Sequence, residues 1–257
     1  MRGDRVAGVF DQDGYRIRLE WGREGLAALA PHCGAVIIVD VLSFSTSVDI
    51  ATGRGGRVLP LPWRRTDPRV ARAAERAGAI PAVAKGEEGW SLRPASLLDL
   101  PAGTLLALPS PNGATLSARA ADLGAAVFAG SLRNAAAVAR AAAEAAGDRP
   151  IGIIAAGERW AVTEGPMRPG IEDYLGAGAI AAALWDRQDS GSPETRVAAL
   201  AFRAAADDIA GLLAEAVSGR ELIGIEMGAD VALAAEVDVS AAVPRLIDGI
   251  YADRPNS

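Results

Sequence analysis

Hydrophobic and polar positions along the chain form two alternating textures. Short apolar, β-branched runs end in polar turns, and the turns open into Ala-rich stretches of helical length. The clearest run is Ala35-Val36-Ile37-Ile38-Val39-Asp40-Val41-Leu42, and weaker ones lie at 57–60, 104–108, 125–129 and 151–155. Runs apolar on both faces are typical of strands buried inside an α/β sheet. The intervening stretches predict helices at about 44–53, 67–77, 112–123, 132–146 and 171–187. Strand alternating with helix predicts an α/β fold with a largely parallel sheet covered on both faces. Tyr15 to Trp21 alternates with period two and predicts a half-exposed strand at an edge. The segment 189–196 predicts a loop, and the text beyond it is helical at 194–217, 219–227 and 229–236, with no strand signal. The expected organisation is therefore an α/β core over 1–188 that carries the site, followed by a mainly helical part over 189–257. That second part packs on the same core or forms a small subdomain.

Composition narrows the function. Half of the 257 residues are hydrophobic and 23% are charged, which predicts a packed globular chain rather than a disordered one. Lys plus Arg number 26 against 32 Asp plus Glu, a net charge of −6. That balance argues against a general binder of nucleic acid or anionic membrane, whose affinity comes from Lys and Arg neutralising phosphates. A small anionic substrate stays compatible with it, because a nest of backbone N–H groups can hold an anion locally. One Cys and one His leave no intrachain disulfide and no Cys/His zinc site. The first residues lack the apolar core of a signal peptide, and no apolar run approaches the roughly 18–20 residues of a membrane helix. A soluble cytoplasmic protein is expected.

The turns carry the candidate chemistry. Asp40, Ser43, Ser45, Thr46 and Ser47 follow the first long strand, and Ser110-Pro111-Asn112-Gly113-Ala114-Thr115 follows the 104–108 run. Gly130-Ser131-Leu132-Arg133-Asn134 and Ala156-Gly157-Glu158 follow the next two. In an open parallel sheet such turns gather at one carboxyl edge, and each following helix offers unpaired N–H groups to an anion. The same Ser, Thr, Asn and Asp residues also serve as ordinary helix caps and turn formers. Asp40 interrupts an apolar strand, where it is either a cap or hidden ion pair, or a metal-binding or catalytic carboxylate. Glu172-Asp173 opens a predicted helix, where acidic residues are also favoured by the helix dipole. An oxygen-rich set of this kind suits Mg²⁺, which binds carboxylates and substrate phosphate while keeping waters. Other plans fail. No Arg-bearing loop follows Cys33, no second aspartate follows Asp40 at the dehalogenase spacing, and no Walker loop occurs. His32 has no evident partner nearby in the sequence.

These residues resemble the 2-phosphosulfolactate phosphatases, the ComB family. The resemblance runs through Val39-Asp40-Val41-Leu42-Ser43-Phe44-Ser45-Thr46-Ser47 and Gly55-Gly56-Arg57-Val58-Leu59-Pro60. It continues in Lys85-Gly86-Glu87, Pro111-Asn112-Gly113-Ala114, Ala129 to Asn134, Ala156-Gly157-Glu158, Glu172-Asp173 with Gly176-Ala177-Gly178, Leu222-Ile223-Gly224 to Asp230-Val231, and Val243-Pro244. The matches keep one order over about residues 35–245. The resemblance implies a three-layer α/β/α fold with a largely parallel or mixed sheet. It implies Mg²⁺-dependent hydrolysis of 2-phosphosulfolactate to sulfolactate and phosphate, a step of coenzyme M biosynthesis in methanogens. On this reading Asp40, Glu158 and Asp173 are the candidate catalytic residues, and Asp40, Glu172 and Asp173 the candidate metal ligands. Ser43, Ser45, Thr46, Asn112, Gly113, Ser131, Arg133 and Asn134 are the candidate phosphate and substrate contacts. The expected partner is a small anionic phosphorylated substrate, with a homodimer left open. Ser43 stands where the family often has arginine, so Arg93, Arg133 and Arg168 are alternative cations. That departure motivates the rival reading, a non-catalytic anion-binding protein on the same fold.

Overall fold

The structure, a computed structural model, describes residues 10–160, 165–185 and 190–253. Eleven strands are present among them: β1 (Ile17–Trp21), β2 (Ala35–Val39), β3 (Arg57–Leu61), β4 (Ile80–Pro81), β5 (Leu105–Pro109), β6 (Ala126–Gly130), β7 (Ile151–Ala155), β8 (Glu158–Arg159), β9 (Met167–Arg168), β10 (Pro244–Ile247) and β11 (Ile250–Asp253). Nine of them form one sheet in the order β1-β7-β2-β6-β10-β11-β3-β5-β4, and β8 and β9 make a separate two-stranded ribbon. The helices are α1 (Gly22–Leu29), α2 (Phe44–Gly53), α3 (Pro68–Ala77), α4 (Gly113–Ala121), α5 (Ala135–Ala146), α6 (Ile171–Trp185), α7 (Pro193–Ala205), α8 (Ile209–Glu215), α9 (Val217–Gly224) and α10 (Gly228–Ala234).

The unbroken apolar run of β2 is explained by its place between β6 and β7, with helices on both faces. Ile37 and Val39 enter a core shared with α5, α6 and α7, while Val36 and Ile38 enter another shared with α1, α2 and α4. Alternate residues of one strand thus feed two apolar layers, which is the three-layer α/β/α arrangement. None of the described helices is long and apolar enough to cross a membrane.

Two features differ from the sequence reading. β1 lies at an edge, with β7 as its strand neighbour and a single bridge from Ile17 to Gly191 on the other side, but it is not half-exposed: Ile17, Arg18 and Leu19 are all buried. Helices α1 and α7 pack over it, and the Arg18 guanidinium donates to the Tyr15 and Asp11 carbonyls at 2.8 and 2.6 Å, which satisfies its charged end under that cover. The second difference is larger. The C-terminal part does not end as helix. It returns as the β10–β11 hairpin and enters the middle of the sheet, between β6 and β3. Asp248 and Gly249 form its two-residue turn with φ of 51° and 78°. Asp-Gly is the favoured pair for a turn that needs positive φ at both central positions.

The hairpin reverses the direction of half the sheet. β6–β10, β10–β11 and β11–β3 are all antiparallel, and β3, β4 and β5 are parallel to one another. These three strands therefore run opposite to β1, β2, β6 and β7, and the expectation of one shared carboxyl edge is corrected. Neighbouring strands rotate by about 20–25°. The five steps from β2 to β5 accumulate more than about a right angle of twist. The end of β5 is thereby swung back towards the end of β2.

Candidate active site

The register fixes one rim of the site. Val39 pairs with both Gly130 and Ala155, so Asp40, Ser131 and Ala156 leave the sheet side by side. Asp40 is buried, and its backbone is locked into the first turn of α2: its N–H donates to Ser45 Oγ at 3.0 Å and its carbonyl accepts from the Ser45 N–H at 2.8 Å. The carboxylate accepts from the Phe44 N–H at 3.3 Å and the Gly113 N–H at 2.8 Å. Gly113 comes from the end of β5 across the twist. A Cβ there would lie 2.8 Å from Asp40 Oδ2 and would also overlap the Phe44 ring, so this approach requires glycine.

Asp173 reaches the same rim from the first turn of α6. Its two carboxylate oxygens accept from the Val41 N–H at 2.7 Å and the Gly157 N–H at 2.8 Å. One turn further on, a Cβ on Gly176 would lie 2.6 Å from Val41 Cγ2, so the absent side chain lets α6 press against the end of β2. Glu172, next to Asp173, is buried as well. Glu158 opens the β8–β9 ribbon opposite Arg168, and its Oε2 accepts from Asn112 Nδ2 at 3.2 Å.

Four carboxylates therefore share one low-dielectric region, and the proton affinities of Asp40, Glu158 and Asp173 respond. Burial raises the Asp173 carboxyl well above the usual range, and the charges of Asp40 and Glu172 raise it further. Burial, then Asp40 and Glu172, push Glu158 up to about 7, against the Asn112 hydrogen bond and the Arg168 charge. Asp40 is raised by burial despite the N–H groups of Gly113, Phe44 and Ser43 and the charge of Lys85. Like charges held close in a desolvated site disfavour full ionisation, and groups tuned in this way mark functional sites.

Among the described residues no three Asp, Glu, His or Cys side chains are gathered closely enough to form a ready metal cage. The donor set nonetheless fits Mg²⁺. It offers hard oxygens and uncompensated negative charge, and Mg²⁺ commonly takes one or two carboxylates and completes its shell with substrate phosphate and water.

A cleft of about 650 Å³ opens beside this cluster, walled by Leu42, Lys85, Glu158, Arg159, Arg168 and Ser218 among others. Lys85 acts on Asp40 and Arg168 on Glu158, and Arg168 is anchored by donating to Ser218 Oγ at 3.0 Å. The sequence reading gave Lys85 no role. Its signal was its place in the Lys85-Gly86-Glu87 motif of the family resemblance.

The expected phosphate contacts divide. Ser43, Asn112 and Gly113 lie at the carboxylate cluster. The hydroxyls of Ser45 and Thr46 point back, donating to the carbonyls of Ile38 at 3.0 Å and Val41 at 2.8 Å, so they bind α2 to β2. Ser131 stands beside Asp40 at the rim, yet its N–H and hydroxyl are both taken by Asn134 Oδ1, at 2.9 and 3.2 Å, and both residues are buried. Arg133 turns away to Asp49 at 3.0 Å and to Glu236, because the buried Asp49 requires a counter-charge. The structure does not bring Ser45, Thr46, Ser131, Arg133 or Asn134 into the carboxylate cluster as donors.

Comparisons with known proteins bring out one family. A family model described as 2-phosphosulpholactate phosphatase matches residues 27–249. A protein of Deinococcus radiodurans named "Probable 2-phosphosulfolactate phosphatase" is 29% identical over 222 residues, covering 83% of this chain and 88% of that protein.

Proposed function

Since the chain belongs to the 2-phosphosulfolactate phosphatase family, we propose that it is a phosphoric monoester hydrolase that cleaves 2-phosphosulfolactate, or a closely related phosphorylated hydroxyacid, with Mg²⁺ as cofactor. The observation that carries the reading is the convergence of Asp40, Glu158, Glu172 and Asp173 beside Lys85 and Arg168, with Glu158 and Asp173 raised by burial and then by the charges of Asp40 and Glu172.

Lys85 and Arg168 attract the phosphate oxygens across the cleft. Asp40 and Asp173, fixed by four backbone N–H groups, would be the residues that hold Mg²⁺, with Glu172 adding charge behind them. When bound, Mg²⁺ neutralises phosphate charge and acidifies an attacking water. Asn112 holds Glu158 in place, and a carboxyl near pH 7 suits proton transfer at neutral pH. As a water oxygen bonds to phosphorus, the ester P–O bond breaks and the Glu158 proton passes to the departing oxygen. One of the attacking water's protons stays with the product phosphate and the other restores the Glu158 carboxyl, since Asp40 and Asp173 would be ionised while they hold the cation.

Phosphate release from a panel of phosphorylated hydroxyacids, with Mg²⁺ and then with chelator, tests the reading. Turnover of 2-phosphosulfolactate that chelator abolishes is the expected result. Tight anion binding without turnover on any member of the panel would favour the non-catalytic alternative.

A further inference from the structure

Glu158 and Arg159 also line a small pocket of about 150 Å³, together with Arg23 and Asn112 among others. It continues through Arg23, Pro111, Arg159 and Gly165 into a second cleft of about 560 Å³. The walls of that cleft include Arg23, Trp63, Arg64, Arg69, Thr115 and Arg159. This is a dense basic surface on a chain of net charge −6. Nearby acids offset it only in part. Asp67 is tied to Arg69 at 2.6 Å, and Glu24 lines the smaller pocket. Among the described residues Arg23 has no hydrogen bond or salt bridge. Burial lowers its pKa, and the charges of Arg159 and Arg119 lower it further.

A second observation is independent of charge. Thr115 Oγ1 is buried without a hydrogen-bond partner, alone in this among the described residues, and Thr115 forms part of the wall. Nothing holds that hydroxyl in its present position. An unpaired buried hydroxyl is costly, and a χ1 rotamer that turned it to the cleft would let an oxyanion accept from it. Thr115 lies on α4, whose first residue, Gly113, donates to Asp40, so helix α4 joins the cleft to the carboxylate cluster.

We infer that this cleft is a second anion site, which receives the carboxylate or sulfonate end of the substrate while the phosphate lies at the Asp40–Asp173 end. The inference rests on the phosphatase reading above for its orientation. It makes Arg23 and Thr115 selective for a second negative group, which a simple phosphate ester lacks.

The test compares 2-phosphosulfolactate with p-nitrophenyl phosphate for the wild type, Arg23→Met and Thr115→Val. Arg23→Met should lower kcat/KM for 2-phosphosulfolactate about tenfold or more, mainly through KM, and change p-nitrophenyl phosphate less than about twofold. Thr115→Val should raise KM for 2-phosphosulfolactate by about threefold without lowering Tm, since no internal hydrogen bond is lost. Equal losses on both esters, or none, would overturn the inference. Sulfate that accelerates p-nitrophenyl phosphate turnover in the wild type but not in Arg23→Met would supply the missing second anion in trans and would support the inference. If the wild type hydrolyses neither ester, the phosphatase reading fails, and calorimetry with sulfolactate then decides the cleft. Binding weakened in Arg23→Met supports it, and equal binding refutes it.

Discussion

Asp40 and Asp49 flank one another along the same stretch of chain, both are buried, and burial raises the pKa of both, yet they are treated in opposite ways. Asp49 is met by the Arg133 guanidinium at 3.0 Å and the Ser240 hydroxyl at 2.6 Å. Asp230 is met likewise by Arg93 at 2.8 Å and by the Ala95 N–H. Those carboxylates brace α2 and α10 to distant segments. Asp40 and Asp173 receive only backbone N–H groups, and their neighbours are further carboxylates. Where a fold needs only stability, a buried charge is paired. Negative charge concentrated at a cleft is a readiness to bind cations or to exchange protons.

The contrast can be broken by substitution. Asp40→Asn loses one of the two hydrogen bonds from Gly113 and Phe44 but removes a charge that burial disfavours, so Tm should change little, while kcat/KM for 2-phosphosulfolactate should fall about a thousandfold, close to 4 kcal/mol of transition-state stabilisation. Asp49→Asn should do the reverse. Leaving Arg133 without its main partner should lower stability by about 3 kcal/mol, seen as a Tm drop of several degrees by calorimetry, with turnover per folded molecule nearly unchanged.

Glu158 sharpens the comparison through pH. Its folded pKa, about 7, lies above the ordinary 4.5, so the folded state holds the proton more tightly than the unfolded chain. Its contribution to stability is therefore lost as pH rises through that window and is at its most unfavourable above about 7. Glu158→Gln should be the more stable protein above about pH 7, by at most about 3 kcal/mol and less with partial exposure, and should match the wild type below about pH 4.5. As proton donor, Glu158 should also make kcat fall as pH rises through about 7, and the Gln variant should lose that inflection. The smallest effect on turnover belongs to the buried turn at Ser131: Asn134→Ala should cost about 1–3 kcal/mol of stability and leave kcat/KM unchanged, because its side chain accepts from Ser131 and donates to the Ala129 and Ala242 carbonyls.

Much of this arrangement is legible in the sequence, though for partly mistaken reasons. The strand that ends at Asp40 declares itself by its β-branched run, and α2 follows at its expected bounds. Asn112 and Gly113 do approach Asp40, but through the twist of a sheet whose β3–β5 half runs backwards, not through a common carboxyl edge. The cause is the β10–β11 hairpin. Its strands, Pro244–Ile247 and Ile250–Asp253, are too short to give a periodicity signal, yet Asp248-Gly249 was a usable turn signal. Arg133 looked like a phosphate ligand because its partner Asp49 lies far off in sequence, and a long-range ion pair leaves no local pattern. The same holds for Lys85, whose influence on Asp40 appears only in three dimensions.

The central claim is that the uncompensated carboxylate cluster, and not the paired one, performs the chemistry. Phosphate release from 2-phosphosulfolactate with Mg²⁺, measured in parallel for the wild type, Asp40→Asn and Asp49→Asn and normalised to folded protein, tests it most directly. The account predicts turnover by the wild type and Asp49→Asn, with a loss of about a thousandfold in Asp40→Asn. Turnover by Asp40→Asn within about tenfold of the wild type would contradict it.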